Sequence, residues 1–177
     1  VAIKITKADK LFSLLIRNRD GWRCSVCTQQ YSPEDGASLQ CSHFIGRANK
    51  AVRFDPDNAS AKCAYCHFMM ESNPILFAQF IEHRLGKDRM ARLVIRSNRQ
   101  FKFDKAMQAH ITKRLEQTWH IASTSGLREF PSPYPAPGEL PDPLPAKRPR
   151  KAKKKAGPKK KIPSRPFPKA HGPLRAA

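Results

Sequence analysis

Two short stretches, Trp22-Arg23-Cys24-Ser25-Val26-Cys27 and Lys62-Cys63-Ala64-Tyr65-Cys66-His67, decide how this chain folds. Each carries a Cys-x-x-Cys pair. The two-residue gap lets both thiolates of a pair reach one ion, and a second pair from a distant segment completes a tetrahedron. The N-terminus shows no charged-then-apolar secretion signal, so the four cysteines read as a structural zinc site, Cys24, Cys27, Cys63 and Cys66, in preference to disulfides or redox-active thiols. A fifth cysteine, Cys41, lies between the pairs. Metal binding free energy acts as folding free energy, which helps explain how a small, highly charged domain holds together.

Working outward, the 35 residues between the pairs exceed the usual zinc-ribbon gap and leave room for a hairpin and loop. Ser38 to Ile45 is short and partly alternating and predicts a strand. Asp55-Pro56-Asp57-Asn58 is dense in turn and cap formers and predicts a helix that begins there and runs to about Glu71. Before the first pair, Leu11, Leu14, Leu15 and the flanking Phe12 and Ile16 fall on one side at helical spacing between Ala8 and Arg19, with Asp20-Gly21 as the stop. After the second pair, Asn73-Pro74 opens a helix that Gly86 closes near Leu85. Two more helices are expected, over Asp88–Ser97 and Asp104–His120. In the last, Met107, Ile111, Leu115 and Trp119 form a stripe read as core packing.

The chain has 177 residues and a formal charge of +20. From Pro131 onward, 13 of the 16 prolines and 13 basic residues accompany only two acids, Glu139 and Asp142, so +11 resides in this tail and +9 in the first 130 residues. So proline-rich a stretch has too little apolar surface to offset the entropy of ordering it, and a disordered tail is expected. The excess of cations points to a polyanion, with nucleic acid first. Lys153, Lys154, Lys155, Lys159, Lys160 and Lys161 are expected to hold phosphates without reading sequence. No run is long and apolar enough for a membrane span, and a soluble cytoplasmic protein is expected.

Between the cysteine pairs stand three further residues at fixed spacing: His43, Asn58 fifteen residues later, and His67 nine after that. A histidine takes a proton from water near neutral pH, as phosphodiester hydrolysis requires of a general base. Together with the paired cysteines, this pattern resembles the HNH (ββα-metal) endonucleases, over about Trp22 to Glu71. The resemblance implies an α+β fold with a zinc-braced, treble-clef-like core flanked by helices. It also implies that His43 activates the attacking water, that Asn58 holds the site together, and that His67 helps bind a catalytic Mg2+ or similar divalent ion. By the same resemblance Glu71, four residues after His67, would be the second helical ligand through its carboxylate. The family usually carries Asp or His before the catalytic histidine, and here Ser42 stands there. Asp55 and Asp57 are other oxygen donors nearby.

Wider features, Gln40-Cys41-Ser42-His43-Phe44 and Arg53-Phe54-Asp55-Pro56-Asp57-Asn58, are similar to the NinG group of bacteriophage recombination proteins, whose members act on branched DNA. That resemblance implies a partner in DNA, a homodimer suited to cutting junctions, and a place in the host cytoplasm or nucleoid. Arg47, Lys50 and Arg53, in the loop after His43, are expected to grip the DNA backbone. The expected organisation is an N-terminal helix (1–21), a zinc-braced nuclease core (22–72), a helical extension (73–130) and the basic tail (131–177). Two rival readings keep the zinc and the basic tail: a non-catalytic zinc-stabilised DNA-binding or architectural protein, and a metal-dependent RNase or RNA-binding protein.

Overall fold

A computed structural model describes residues 3–35, 38–100 and 103–135. The elements run α1 (Lys7–Arg19), β1 (Leu39–His43), β2 (Ala59–Cys63), α2 (Ala64–Glu71), α3 (Pro74–Ser97) and α4 (Lys105–Ser125), with 3-10 turns at Pro33–Asp35 and Pro56–Asn58. The result is a mixed α+β fold. Its sheet has two antiparallel strands, pairing Leu39 with Cys63 and His43 with Ala59.

The helix expected from Asp55–Asn58 onward is corrected by β2. The Asp55 side chain accepts the Asp57 N–H at 2.9 Å and closes a single tight turn. From it the chain returns along β1 before α2 begins. All five residues of β2 are buried, and its alternating Ala59-Ser60-Ala61-Lys62-Cys63 is hidden from the sequence reading by the turn and cap formers directly before it. The strand expected over Ser38 to Ile45 is trimmed to Leu39–His43, because the Phe44 and Ile45 N–H groups turn to the Asn58 backbone and side-chain oxygens instead.

α1 starts at a capping box in which Thr6 and Asp9 satisfy each other's backbone N–H. It buries Ala8, Phe12, Leu15 and Ile16 against Ile111, Leu115 and Ala122 of α4 and against Phe54 and Ala59. Met107 and Trp119 complete that stripe at its margin. A second cluster packs Leu39 and Ala61 around the cysteines, and a third joins Val52 to Leu85 and Leu93 of α3. Gly86 sits inside α3 at φ 72°, ψ 161°, so the segment is two helices meeting at a kink, as Gly86 predicts. α4 runs past His120 to Ser125, where Gly126 at φ 69° ends it.

The boundary at residue 131 also moves. The Tyr134 hydroxyl donates to the Lys50 carbonyl at 2.6 Å and accepts the Phe54 N–H at 3.2 Å, while its ring lies 6.5 Å from that of Phe54. These bonds hold residues to 135 on the domain. The tail lysines Lys153–Lys155 and Lys159–Lys161 lie outside the described residues. Among the described residues, no helix is long and apolar enough to cross a membrane.

Candidate metal centre and basic groove

The Cys24–Cys27 pair sits in a tight knuckle. The Thr28 N–H returns to the Cys24 carbonyl at 2.9 Å, and Thr28 adopts φ 61° to make that turn. The second pair straddles the β2–α2 junction, where the Cys63 sulfur caps the helix by accepting the Cys66 N–H at 3.4 Å. The sheet thus delivers Cys63 to the knuckle, and the four Sγ atoms lie within 4.8 Å of one another. The Cys63 N–H points at the Cys24 sulfur, 3.4 Å away. Burial works against a thiolate at Cys24, but the N–H groups of Cys63, Cys27 and Val26 outweigh it and lower that thiol to about 7. Four soft sulfurs at this separation suit one tetrahedral ion and are compatible with structural zinc. Among the described residues, this is the one cluster of three or more metal-ligating side chains.

A groove of about 520 Å³ passes beside β1, lined by Asp9, Lys10, Ser13, Leu14 and Arg17 of α1, by Cys41, His43 and Arg47, and by His67 of α2, three fixed cations against one carboxylate. Among the described residues β1 pairs only with β2, and on its groove side Arg17 Nη1 donates to the Leu39 carbonyl at 3.5 Å. His43 ends the strand, with its ring 5.7 Å from that of Phe12 and its Nε2 2.9 Å from the Arg53 carbonyl. A carbonyl only accepts, so Nε2 carries the proton and Nδ1 keeps the lone pair. Burial lowers the His43 pKa to about 4, and the nearby Arg47 cation adds to the shift, against the opposing pull of the Arg53 carbonyl.

Asn58 is fully buried and does not line the groove. Its Oδ1 accepts the Ile45 N–H at 2.7 Å, and its Nδ2 donates to the Ile45 and Val52 carbonyls at 2.9 and 2.8 Å. It staples both ends of the loop that carries Arg47. His67, which also lines the groove, bonds Gln40 Oε1 through Nδ1 at 2.7 Å and Glu71 through Nε2 at 3.1 Å. His67 and Glu71 therefore stand side by side, one turn apart on α2.

The remaining candidates lie elsewhere. Ser42, alternating with His43, turns to the other face and accepts from the Lys62 ammonium at 3.1 Å. Lys62 is itself enclosed by the rings of Phe44, Phe77 and Phe80, whose centroids lie 4.4–5.2 Å from Nζ. Asp55 and Asp57 are held by Arg96 at 2.6 and 2.9 Å, and Asp57 also by Arg89. These carboxylates border a separate cleft of about 830 Å³ in which arginines already match the acids.

The loop cations divide. Arg47 is exposed and lines the groove; Lys50 is half-buried, its Nζ 5.6 Å from the Phe103 centroid. Arg53 is corrected from a DNA contact to a core residue. Only 3% exposed, it grips Asp9 through two bonds of 2.8 and 2.7 Å. Burial alone would raise the Asp9 carboxyl, but Arg53 and Thr6 together hold it below the usual carboxylate range. Sequence reasoning missed Lys10 and Arg17. Their signal was present, because positions 10, 13, 14 and 17 follow the spacing of a single helix face.

The fold and site define an α+β domain with four cysteines positioned to bind one metal ion and a groove lined by three cations. No family model, curated protein or solved structure matches the chain.

Proposed function

We propose that the chain is an HNH-type DNA endonuclease of the NinG kind, with a treble-clef-like, zinc-braced ββα core, hydrolysing phosphodiester bonds in branched DNA during phage recombination. One observation carries the reading: His43 and His67, twenty-four residues apart, share a groove bordered by Lys10, Arg17 and Arg47. Mere binding requires no such pair of imidazoles.

In this reading the backbone phosphate enters beside β1, drawn by the three cations. His43 Nδ1 takes a proton from the attacking water, with the ring fixed by the Arg53 carbonyl. A pKa near 4 keeps His43 unprotonated throughout the physiological range but makes it a weak base. The arriving phosphate favours the imidazolium and strengthens it where the reaction occurs. Asn58 positions the loop. Glu71 offers a carboxylate of the kind Mg2+ takes alongside substrate oxygens, and His67 would join it through Nε2 once that nitrogen gives up the proton it shares with Glu71. Bound there, such an ion would supply positive charge to the developing leaving oxygen. The cysteine-bound zinc takes no part, since four thiolates leave it no open position.

A second reading, a non-catalytic zinc-stabilised DNA-binding protein, is favoured by Ser42, which faces Lys62 and not the groove. The test incubates the protein with supercoiled, linear and four-way-junction DNA in Mg2+ or Mn2+, beside His43→Ala. Metal-dependent cleavage that the variant loses while retaining its zinc is the expected result. Undiminished cleavage by the variant sinks the mechanism, and absence of cleavage on every substrate selects the binding protein.

A further inference from the structure

The larger cleft, of about 830 Å³, is lined by five arginines and four carboxylates, and its charges balance at one end only. At the Asp55–Asp57 end two carboxylates meet two guanidiniums. Arg89 and Arg96 occupy three of their oxygens, and the Asp57 N–H takes the fourth. At the other end a single carboxylate, Asp20, serves two guanidiniums: its Oδ1 accepts from Arg19 and Arg84 at 2.8 and 2.7 Å. Its Oδ2 is taken as well, by the Ala61 N–H at 2.7 Å.

A third guanidinium stands beside this group. Arg128 lies against Gly21, where a Cβ would come 2.6 Å from its Nη1, and it makes no ion pair among the described residues. Glu129, the fourth carboxylate, is exposed and pairs with none of the arginines. Arg19 is satisfied inside the fold by the Pro56 and Ala59 carbonyls. Arg84 is not: its Nη2 bonds Asp20, while Nε and Nη1 have no partner among the described residues and remain open to solvent. Burial disfavours its charge, and the Arg19 and Arg89 cations add to this against the pull of Asp20. An anion entering between Arg84 and Arg128 relieves that crowding, and the planar N–H fork of arginine matches two oxygens of a phosphate.

We propose that Arg84, Arg89 and Arg128 form a second phosphate site, which holds the backbone of a DNA segment other than the one in the groove. No residue lines both cavities. At about 100° per residue Arg19 lies about 180° around α1 from Lys10, so cleft and groove open on different sides of that helix. The +20 charge of the chain favours a polyanion over a free phosphate as the occupant. The proposal rests on the reading of DNA as the partner and adds a second point of contact, which suits a substrate with more than one arm.

The test measures binding of the full, zinc-loaded chain to a four-way junction from about 50 to 200 mM salt. Arg128→Gln is expected to weaken binding about threefold or more and to lower the slope of log affinity against log salt by about one. Lys113→Gln, the same loss of charge at an exposed position of α4 that lines neither cavity, should leave both nearly unchanged. Arg128 is exposed and unbonded, so an unchanged thermal midpoint separates a lost contact from a lost fold. Losses from Arg128→Gln and from Lys10→Gln in the groove should add in log affinity, as two segments held at once require. Equal losses from Lys113→Gln, or an unaltered slope in Arg128→Gln, overturn the site. Inorganic phosphate that moves the Arg84 Nε–H resonance, with junction affinity indifferent to Arg128→Gln, also overturns it by assigning the cleft to free phosphate. Lys10→Gln reports on the groove and neither variant is read by turnover, so failure of the cleft and failure of the endonuclease reading are separately visible.

Discussion

Replacing Arg53 by Met separates a core cation from a DNA contact. In the folded chain the guanidinium makes two short bonds to Asp9, with side-chain exposures of 4% and 7%. Methionine fills much of the same volume but leaves the Asp9 carboxylate facing its Thr6 contacts alone. Removing one partner of a buried pair costs about 3–5 kcal/mol, a large part of the roughly 5–15 kcal/mol that holds a typical domain. The pH dependence has a definite sign. The wild-type carboxyl lies below its unfolded value, so the pair's contribution is fully present above about pH 4 and is lost as pH falls through the folded value. In the variant, burial without a partner raises that carboxyl, so the deficit narrows as the pH is lowered from neutrality. Urea unfolding with zinc in excess, at neutral and mildly acidic pH, measures both effects. Adding Asp9→Leu should recover part of the loss, less about 1 kcal/mol for the broken capping box. A variant within about 0.5 kcal/mol of wild type, whose DNA affinity has a salt slope lower by about one, would refute the argument and return Arg53 to the phosphate.

Two further outcomes follow from the site. If His43 is the base, its burial to a pKa of about 4 makes kcat/KM rise with pH through that value and stay level across neutrality; a pH–rate profile with an acid limb near 6.5 would show that the imidazole is not held as the Arg53 carbonyl holds it. Stripping zinc with a strong chelator, or Cys63→Ser, should abolish the cooperative thermal transition, since such sites contribute roughly 10–16 kcal/mol of apparent binding energy to folding; calorimetry that finds the midpoint unchanged would remove zinc from the architecture.

What the sequence disclosed followed from how local each signal is. The cysteine pairs, the α1 and α4 faces and the Gly86 break are all written within a few residues. β2 was not, because Ala59–Cys63 is covered on both faces: Ala59 packs toward α1 and α4, while Lys62 lies under Phe77 and Phe80 of α3. A lysine in the middle of such a strand reads as solvent-facing until the three rings around it are placed. Arg53 misled for the same reason. Its partner is 44 residues away, and nothing in Ala51-Val52-Arg53-Phe54 distinguishes a buried guanidinium from an exposed one.

These non-local bonds are also what give the local pattern its chemistry. The imidazole of His43 is oriented by the carbonyl of Arg53, and the side chain of Arg53 is fixed by Asp9 on α1. Asn58 anchors the intervening loop from the other end. The Arg53 carbonyl therefore sets which nitrogen of His43 carries its proton, and α1 lines the groove with Asp9 as well as with Lys10 and Arg17. Residue spacing singled out His43 as a candidate; the bond from its Nε2 to the Arg53 carbonyl leaves Nδ1 as the nitrogen with the lone pair.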